Sequence, residues 1–373
     1  MTDEAPQADA IPGAPHPRET PLLIGQGVAE AAFLEAFTSG RMHHGWLITG
    51  PRGVGKATLA WRIARFLLAT PPDDNDGGMF GAPPPPDSLD IAPDHPVSHR
   101  LLAGSDPGLF HIIRRVNEKT GRLRDRILAE DVRTLNNFLH LSATNGGRRV
   151  VIIDTADDMN VQAANALLKM LEEPPARITL LLISHQPSSL LPTIRSRCRE
   201  LRLPPLGADD MAAALTQAGI ETGGNAPALA ALSGGSVGES VRLINLDGLK
   251  IYAELIALFA DLPRIDRPRA LALANAAATR GAEDKLDLLI WLIDLMLSRM
   301  ARTGAMGAPP APEAAPNEAQ MLLRCAPNAS RARIWAACAE EVGARLRHGR
   351  AVNLDPAALV LDTVFKIRDT AAG

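Results

Sequence analysis

Four consecutive β-branched residues, Val150, Val151, Ile152 and Ile153, end in Asp154. A run that is apolar at every position, rather than at every second one, suits a strand covered on both faces. Residues 161–173 follow with helical spacing. Pro174 and Pro175 stop that segment, and a second apolar run occupies residues 178–183. Upstream, residues 45–49 form a short apolar strand leading into Gly50, and residues 59–68 form the next helix. A helix over residues 28–37, a strand over 110–113 and a helix over 128–141 complete the alternation. Strands and helices alternating at these lengths predict a parallel sheet with helices on both faces.

Around this core the chain changes character. Residues 1–19 are polar and proline-rich and are expected to be a disordered leader. Residues 70–107, rich in Pro, Gly and Asp, read as an irregular insertion within a domain spanning 20–203. Pro204 and Pro205 mark its end. A small helical unit over 204–247 and an all-helical domain over 248–373 follow, the latter interrupted by a Pro/Ala loop at 304–316. In residues 286–300 the apolar positions Leu288, Leu289, Trp291, Leu292, Leu295 and Met296 cover more than one helix face. That pattern makes the C-terminal domain the expected main assembly element.

Composition removes several function classes. A net charge of −3 argues against binding nucleic acid over the whole surface, and 3% aromatics leave little for base stacking. The charge is uneven, since residues 100–150 hold ten Lys/Arg against five Asp/Glu. Cys198, Cys325 and Cys338 are scattered, with neither a disulfide framework nor a C-x-x-C metal pair, which fits a reducing compartment. No signal-peptide core is present, and the stretch 286–297 is too short to span a bilayer and carries Asp287 and Asp294. A cytoplasmic protein without membrane partners is expected.

Gly50, Gly53, Gly55 and Lys56 match a G-x-x-x-x-G-K frame, in which backbone N–H groups wrap phosphate at a helix N-terminus and the lysine supplies charge. The next position should carry a hydroxyl for magnesium. It is Ala57, and Thr58 comes one residue late, turned by about 100° on a helix. Asp154, at a strand end, suits a metal-ordering carboxylate. Thr155 stands where a glutamate would polarise water, and threonine is no base at neutral pH. Asp157 and Asp158 read as helix-start charges. Arg197 carries a guanidinium fork able to bridge nucleotide phosphates, although Arg195, Arg199 and Arg202 crowd the same stretch.

Taken together, several segments resemble the clamp-loader branch of the AAA+ proteins, and within it the delta-prime family of bacterial DNA polymerase III. The residues that carry the likeness are Ile24-Gly25-Gln26, the glycine loop, the strand ending in Asp154, the string Asn165-Ala166-Leu167-Leu168-Lys169-Met170-Leu171-Glu172-Glu173-Pro174-Pro175, and Ser196-Arg197-Cys198. It is strong over residues 22–240 and weaker over the C-terminus, where Asn353-Leu354-Asp355-Pro356 stands out.

The resemblance implies an AAA+ domain of the phosphate-loop type, a small helical lid and an all-α collar that joins a hetero-pentamer with motor subunits and delta. It implies a rigid, non-motor member of the ring, whose Arg197 completes a neighbour's ATP site and which meets the sliding clamp and primer-template DNA through the complex. Gly238 stands where motor subunits place a sensor arginine. With Ala57 and Thr155 also altered, Gly50, Gly53, Gly55, Lys56, Thr58 and Asp154 form a degenerate ATP site, expected to bind ATP or ADP weakly or not at all. Relatives carry a four-cysteine zinc module after the phosphate-loop helix. Residues 70–110 have no cysteine, and His95 and His99 alone are weak ligands, so no zinc is expected. The rival readings are an active motor ATPase, which Ala57, Thr155 and Gly238 oppose, and a stand-alone DNA-binding module using residues 100–150.

Overall fold

In the computed structural model the described residues are 7–70, 85–141, 147–279, 281 and 283–373. They form two compact units, Met1–Ile220 with Ser236–Gly238, and Glu221–Gly235 with Glu239–Gly373.

The first unit is built on five parallel strands, β1 (Gly45–Thr49), β2 (Leu109–Ile113), β3 (Arg149–Asp154), β4 (Ile178–Ser184) and β5 (Arg199–Arg202), in the order β2-β3-β4-β1-β5. Successive side chains of a strand point to opposite faces. Trp46, Ile48, Val150, Ile152, Leu181 and Ile183 therefore enter one core with Phe33, Leu59, Ile63 and Phe66. Leu47, Val151, Ile153, Leu180 and Leu182 enter the other, with Val132, Leu135, Leu167 and Leu171. Helices α1 (Gly27–Thr38) and α2 (Lys56–Ala69) cover the first face. The second lies under α4 (Ala129–Leu141) and α5 (Val161–Glu172). Two-sided cover is why these runs are apolar at every position.

Three sequence expectations change in this unit. Strand β5 was read only as part of a basic stretch, because its sequence, Arg199, Glu200, Leu201, Arg202, has one buried residue. Pairing to β1 along one edge makes it a strand, and the Arg199 guanidinium lies 5.2 Å from the Trp46 ring centre. Part of the supposedly irregular insertion is helical, α3 (Pro96–Leu102), started by Pro96 and by the His95 ring accepting from the Val97 N–H. Residues 71–84 lie outside the described residues.

The leader differs too. Residues 1–6 lie outside the described residues, but 7–19 are held at Asp9, His16 and Arg18. The Asp9 carboxylate, 4% exposed, bonds to His16 at 2.8 Å, and His16 meets the Trp61 ring edge-on. Arg65 donates to the Arg18 carbonyl and Arg62 to the Pro21 carbonyl. A polar segment is held here by partners on α2, which composition does not reveal.

The second unit is helical: α8 (Ala226–Ser233), α10 (Gly248–Phe259), α11 (Arg267–Ala277), α12 (Glu283–Met306), α13 (Glu318–Cys325), α14 (Ala329–Ala351) and α15 (Pro356–Ala372). The chain between α8 and α10 is α9 (Val237–Asn245), and α7 (Ala208–Gln217) closes the first unit. Helix α12 is central, burying Leu288, Leu289, Leu292, Ile293, Met296 and Leu297 against its own unit. Its several apolar faces thus have an intradomain explanation, with Ile290, Trp291 and Leu295 half-buried. The helix also runs through Gly304, so the Pro/Ala loop begins later than expected. Glu318 anchors that loop, accepting from Tyr252 Oη at 2.6 Å, Arg299 Nε at 2.6 Å and the Ala314 N–H at 2.6 Å. A carboxylate 1% exposed is tolerable only when paired in this way. Asp355 caps α15 and Pro356 takes its first position. Among the described residues no helix is long and apolar enough to cross a membrane.

Candidate functional site

The carboxyl ends of β1 and β3 bring the glycine loop and Asp154 to one edge of the sheet, the edge where open parallel sheets bind ligands. The loop's turns need glycine. Gly53 has φ of 71°, and a Cβ there would run into Ser236 Oγ and lie 2.7 Å from the Gly238 nitrogen. Gly55, with φ of 97°, precedes α2, where a Cβ would lie 2.7 Å from Leu23. Gln26 explains why the Ile24-Gly25-Gln26 segment belongs to this site. Its amide donates to Val54 O at 3.2 Å and Pro204 O at 2.9 Å, tying the start of α1 to the glycine loop and the end of β5.

The loop is closed on itself. Lys56, 3% exposed, donates from Nζ to the carbonyl oxygens of Gly50, at 2.7 Å, and Pro51. Burial pulls its ammonium down to about 8, opposed by Asp154 and Asp157. The Gly238 N–H donates to Gly53 O at 3.3 Å. A Cβ at residue 238 would lie 2.8 Å from Ile11 Cδ1 and 3.1 Å from Gly53 Cα, so a side chain there would press on the loop. Ala57 and Thr58 are both half-buried on the first turn of α2.

Asp154 ends β3 as expected. Burial and the Asp9 charge push its carboxyl up to about 6, against the Thr155 hydrogen bond and the Lys56 charge. Thr155 Oγ1 lies 3.2 Å from Asp154 Oδ1 and 3.3 Å from His185 Nε2. Burial, with Lys56 and Arg52 nearby, lowers the His185 imidazole to about 4, so the ring is neutral at pH 7. Asp157 does more than start a helix. It accepts from Ser184 Oγ, the His185 and Gln186 N–H groups and Ser189 Oγ, fixing the turn after β4. Asp158 pairs with Arg114 at 3.0 Å. The cap of α5 is Asn160, accepting from the Ala163 N–H.

Arg197 lies apart from these groups. It follows the short helix α6 (Pro192–Arg195) and precedes β5, with its N–H bonded to Ile194 O. Its guanidinium, 36% exposed, reaches Glu172 Oε1 at 2.9 Å from Nη2 and Thr193 O at 3.0 Å from Nη1. Cys198 beside it has its thiol pushed up to about 12 by burial and is no nucleophile. Gly50, Gly53, Gly55, Lys56, Thr58 and Asp154 are thus gathered at one edge, while Arg197 stands on the segment entering β5 at the strand's opposite end. His95 caps a helix and His99 is exposed. Among the described residues no group of three or more His, Cys, Asp or Glu is arranged to hold a metal.

A family model described as DNA polymerase III, delta subunit matches residues 25–207, which include the glycine loop, Asp154 and Arg197. A curated relative named DNA polymerase III subunit delta', from Pseudomonas aeruginosa, is 40% identical over 201 residues, 54% of this chain and 55% of that protein. These matches make the chain similar to the delta-prime subunits of bacterial DNA polymerase III. The delta-prime protein of Escherichia coli K12 is 29% identical over 272 residues, 72% of each chain. A Mycobacterium tuberculosis protein named DNA polymerase III subunit gamma/tau is 30% identical over 275 residues, 72% of this chain and 42% of that one. The chain therefore aligns with little more than half the length of its Pseudomonas delta-prime relative.

Sequence reasoning missed Gln26 as a bonding partner of the loop, Asp157 as the clamp on the β4 turn, and Glu172 as the partner of Arg197. Gln26 and Glu172 left a signal, since both belong to segments that carried the resemblance, whereas Asp157 left none.

Proposed function

We propose that the protein is a non-motor subunit of a bacterial clamp loader, acting in DNA replication as part of the polymerase III holoenzyme in the cytoplasm. It scaffolds a hetero-pentamer of motor subunits and delta, through a lid over residues 204–247 and a collar over 248–373, and presents Arg197 to the ATP site of a neighbouring motor subunit. Sliding clamp and primer-template DNA are met through the complex. The observation that carries this reading is the contrast between a closed phosphate loop and a half-exposed arginine on the same domain.

Its own nucleotide chemistry is accordingly slight. A lysine bonded to loop carbonyls, Ala57 in place of a hydroxyl and a neutral threonine after Asp154 support weak or absent binding of ATP or ADP and negligible hydrolysis. No zinc is required, and elemental analysis giving one zinc per chain would contradict this. A finger acts on charge that develops in the transition state, so it raises turnover more than nucleotide affinity. Reconstitution with motor subunits and delta tests the whole reading. The chain should co-elute in one complex and raise its DNA-dependent ATPase. Failure to join any such complex would refute the assignment.

A further inference from the structure

The bond between Arg197 and Glu172 joins two segments that are separate in the sequence. Glu172 is the last residue of α5, just before Pro174 and Pro175 turn the chain toward β4. Its position is set by the helix behind it, which is capped by Asn160 and buried through Ala163, Leu167, Met170 and Leu171. Arg197 stands on a short turn with a fixed backbone, but its side chain has several rotatable bonds. A free arginine of this kind samples many rotamers and loses side-chain entropy when it is held.

Two contacts hold it here. Nη2 meets Glu172 Oε1 at 2.9 Å, and Nη1 meets Thr193 O at 3.0 Å, with Ser196 Oγ at 3.5 Å. Both ends of the ion pair are partly open to solvent, at 36% and 48% exposure, so the pair contributes little to stability. Its consequence lies in direction. A guanidinium has five donors in a rigid plane, and two contacts leave others unused.

We infer that Glu172 is a positioning residue for Arg197, holding the guanidinium plane so that its unused donors face outward for an incoming phosphate. This rests on the trans role of Arg197 proposed above. Glu172 touches neither nucleotide nor reacting atoms. It acts by reducing the conformations that the arginine must give up as the transition state forms.

The test is a double-mutant cycle in the reconstituted loader, with MgATP as the varied substrate. Glu172→Ala should slow the one site that Arg197 serves about fivefold, the scale set by a half-exposed ion pair, which reads as a partial loss of bulk kcat smaller than that of Arg197→Ala, and leave KM for MgATP and the melting temperature of the chain unchanged. Glu172→Gln keeps an acceptor at the same reach and should recover part of the loss. In an Arg197→Ala background Glu172→Ala should have no further effect, because nothing remains to be positioned. Unchanged kcat in Glu172→Ala, or a loss that adds in full to that of Arg197→Ala, would overturn the inference. An increase in kcat would do so as well, since it would make Glu172 a competitor for the arginine. If Arg197→Ala itself leaves turnover intact, the trans role fails, and the positioning role fails with it.

Discussion

The phosphate loop and the Arg197 turn belong to one domain and one sheet, yet they have been treated differently. The loop keeps its glycines, its lysine and the aspartate at the end of β3, but these groups are turned inward: Lys56 onto Gly50 and Pro51, Gly53 onto Gly238, Asp154 onto Thr155. On the Arg197 turn the guanidinium of Arg197 is half-exposed and held by Glu172. A protein can thus retain a nucleotide-binding frame for its shape while its contribution to chemistry comes from another place. Glycines that satisfy φ of 71° and 97° and fit against Ser236 and Leu23 are needed for packing whether or not a phosphate ever arrives.

The sharpest way to break this comparison is Arg197→Ala within the loader. At the one site it serves, turnover should fall by about 10³, while a ring with several sites loses only part of its bulk rate. Arg197→Lys should restore little, since an ammonium cannot copy the planar fork. Arg195→Ala and Arg199→Ala are the controls. Equal losses in all three would reduce the turn to a charged surface.

A second expectation concerns the cost of keeping Asp154. A carboxyl raised from 3.8 to about 6 is ionised less readily in the folded chain than in the unfolded one. Its charge therefore destabilises the fold above pH 6. Asp154→Asn should stabilise the isolated protein by ~1–2 kcal/mol at pH 7, after allowance for partial exposure. The gain should vanish below about pH 4, where the carboxyl is protonated in both states. Chemical denaturation at the two pH values reads this directly, and destabilisation at pH 7 would mean that Asp154 makes bonds the fold depends on.

The smallest expected effect is none. Steady-state ATP hydrolysis by the isolated chain should not rise above background, and Lys56→Ala should not change it. Turnover at the rate of a motor subunit, abolished by Lys56→Ala, would make the loop a working site.

Much of this architecture was legible in the sequence, for a physical reason. Strands covered on both faces must be apolar throughout, so β1, β3 and β4 stand out within one residue of their observed limits. Helices α5 and α15 carry their own punctuation in Pro174-Pro175 and Asp355-Pro356. What was hidden depends on partners distant in the chain. Strand β5 is charged because it is paired on one edge only. The leader is ordered by Asp9, His16 and Trp61 acting together. The apolar excess of α12 is absorbed by its own unit, so it says nothing by itself of an outside partner. The loop was recognisable from its glycines, but its closure was not, because that depends on Gly238, far along the chain.

The account's central claim is that this chain serves a neighbour's site and not its own. It is tested most directly by assembling two loaders that differ only in this subunit, one with Lys56→Ala and one with Arg197→Ala, and measuring clamp-dependent ATP turnover in each. The Lys56 variant should match the unaltered loader, and the Arg197 variant should be slow with its affinity for ATP retained. Slow turnover in the Lys56 variant beside normal turnover in the Arg197 variant would contradict the claim.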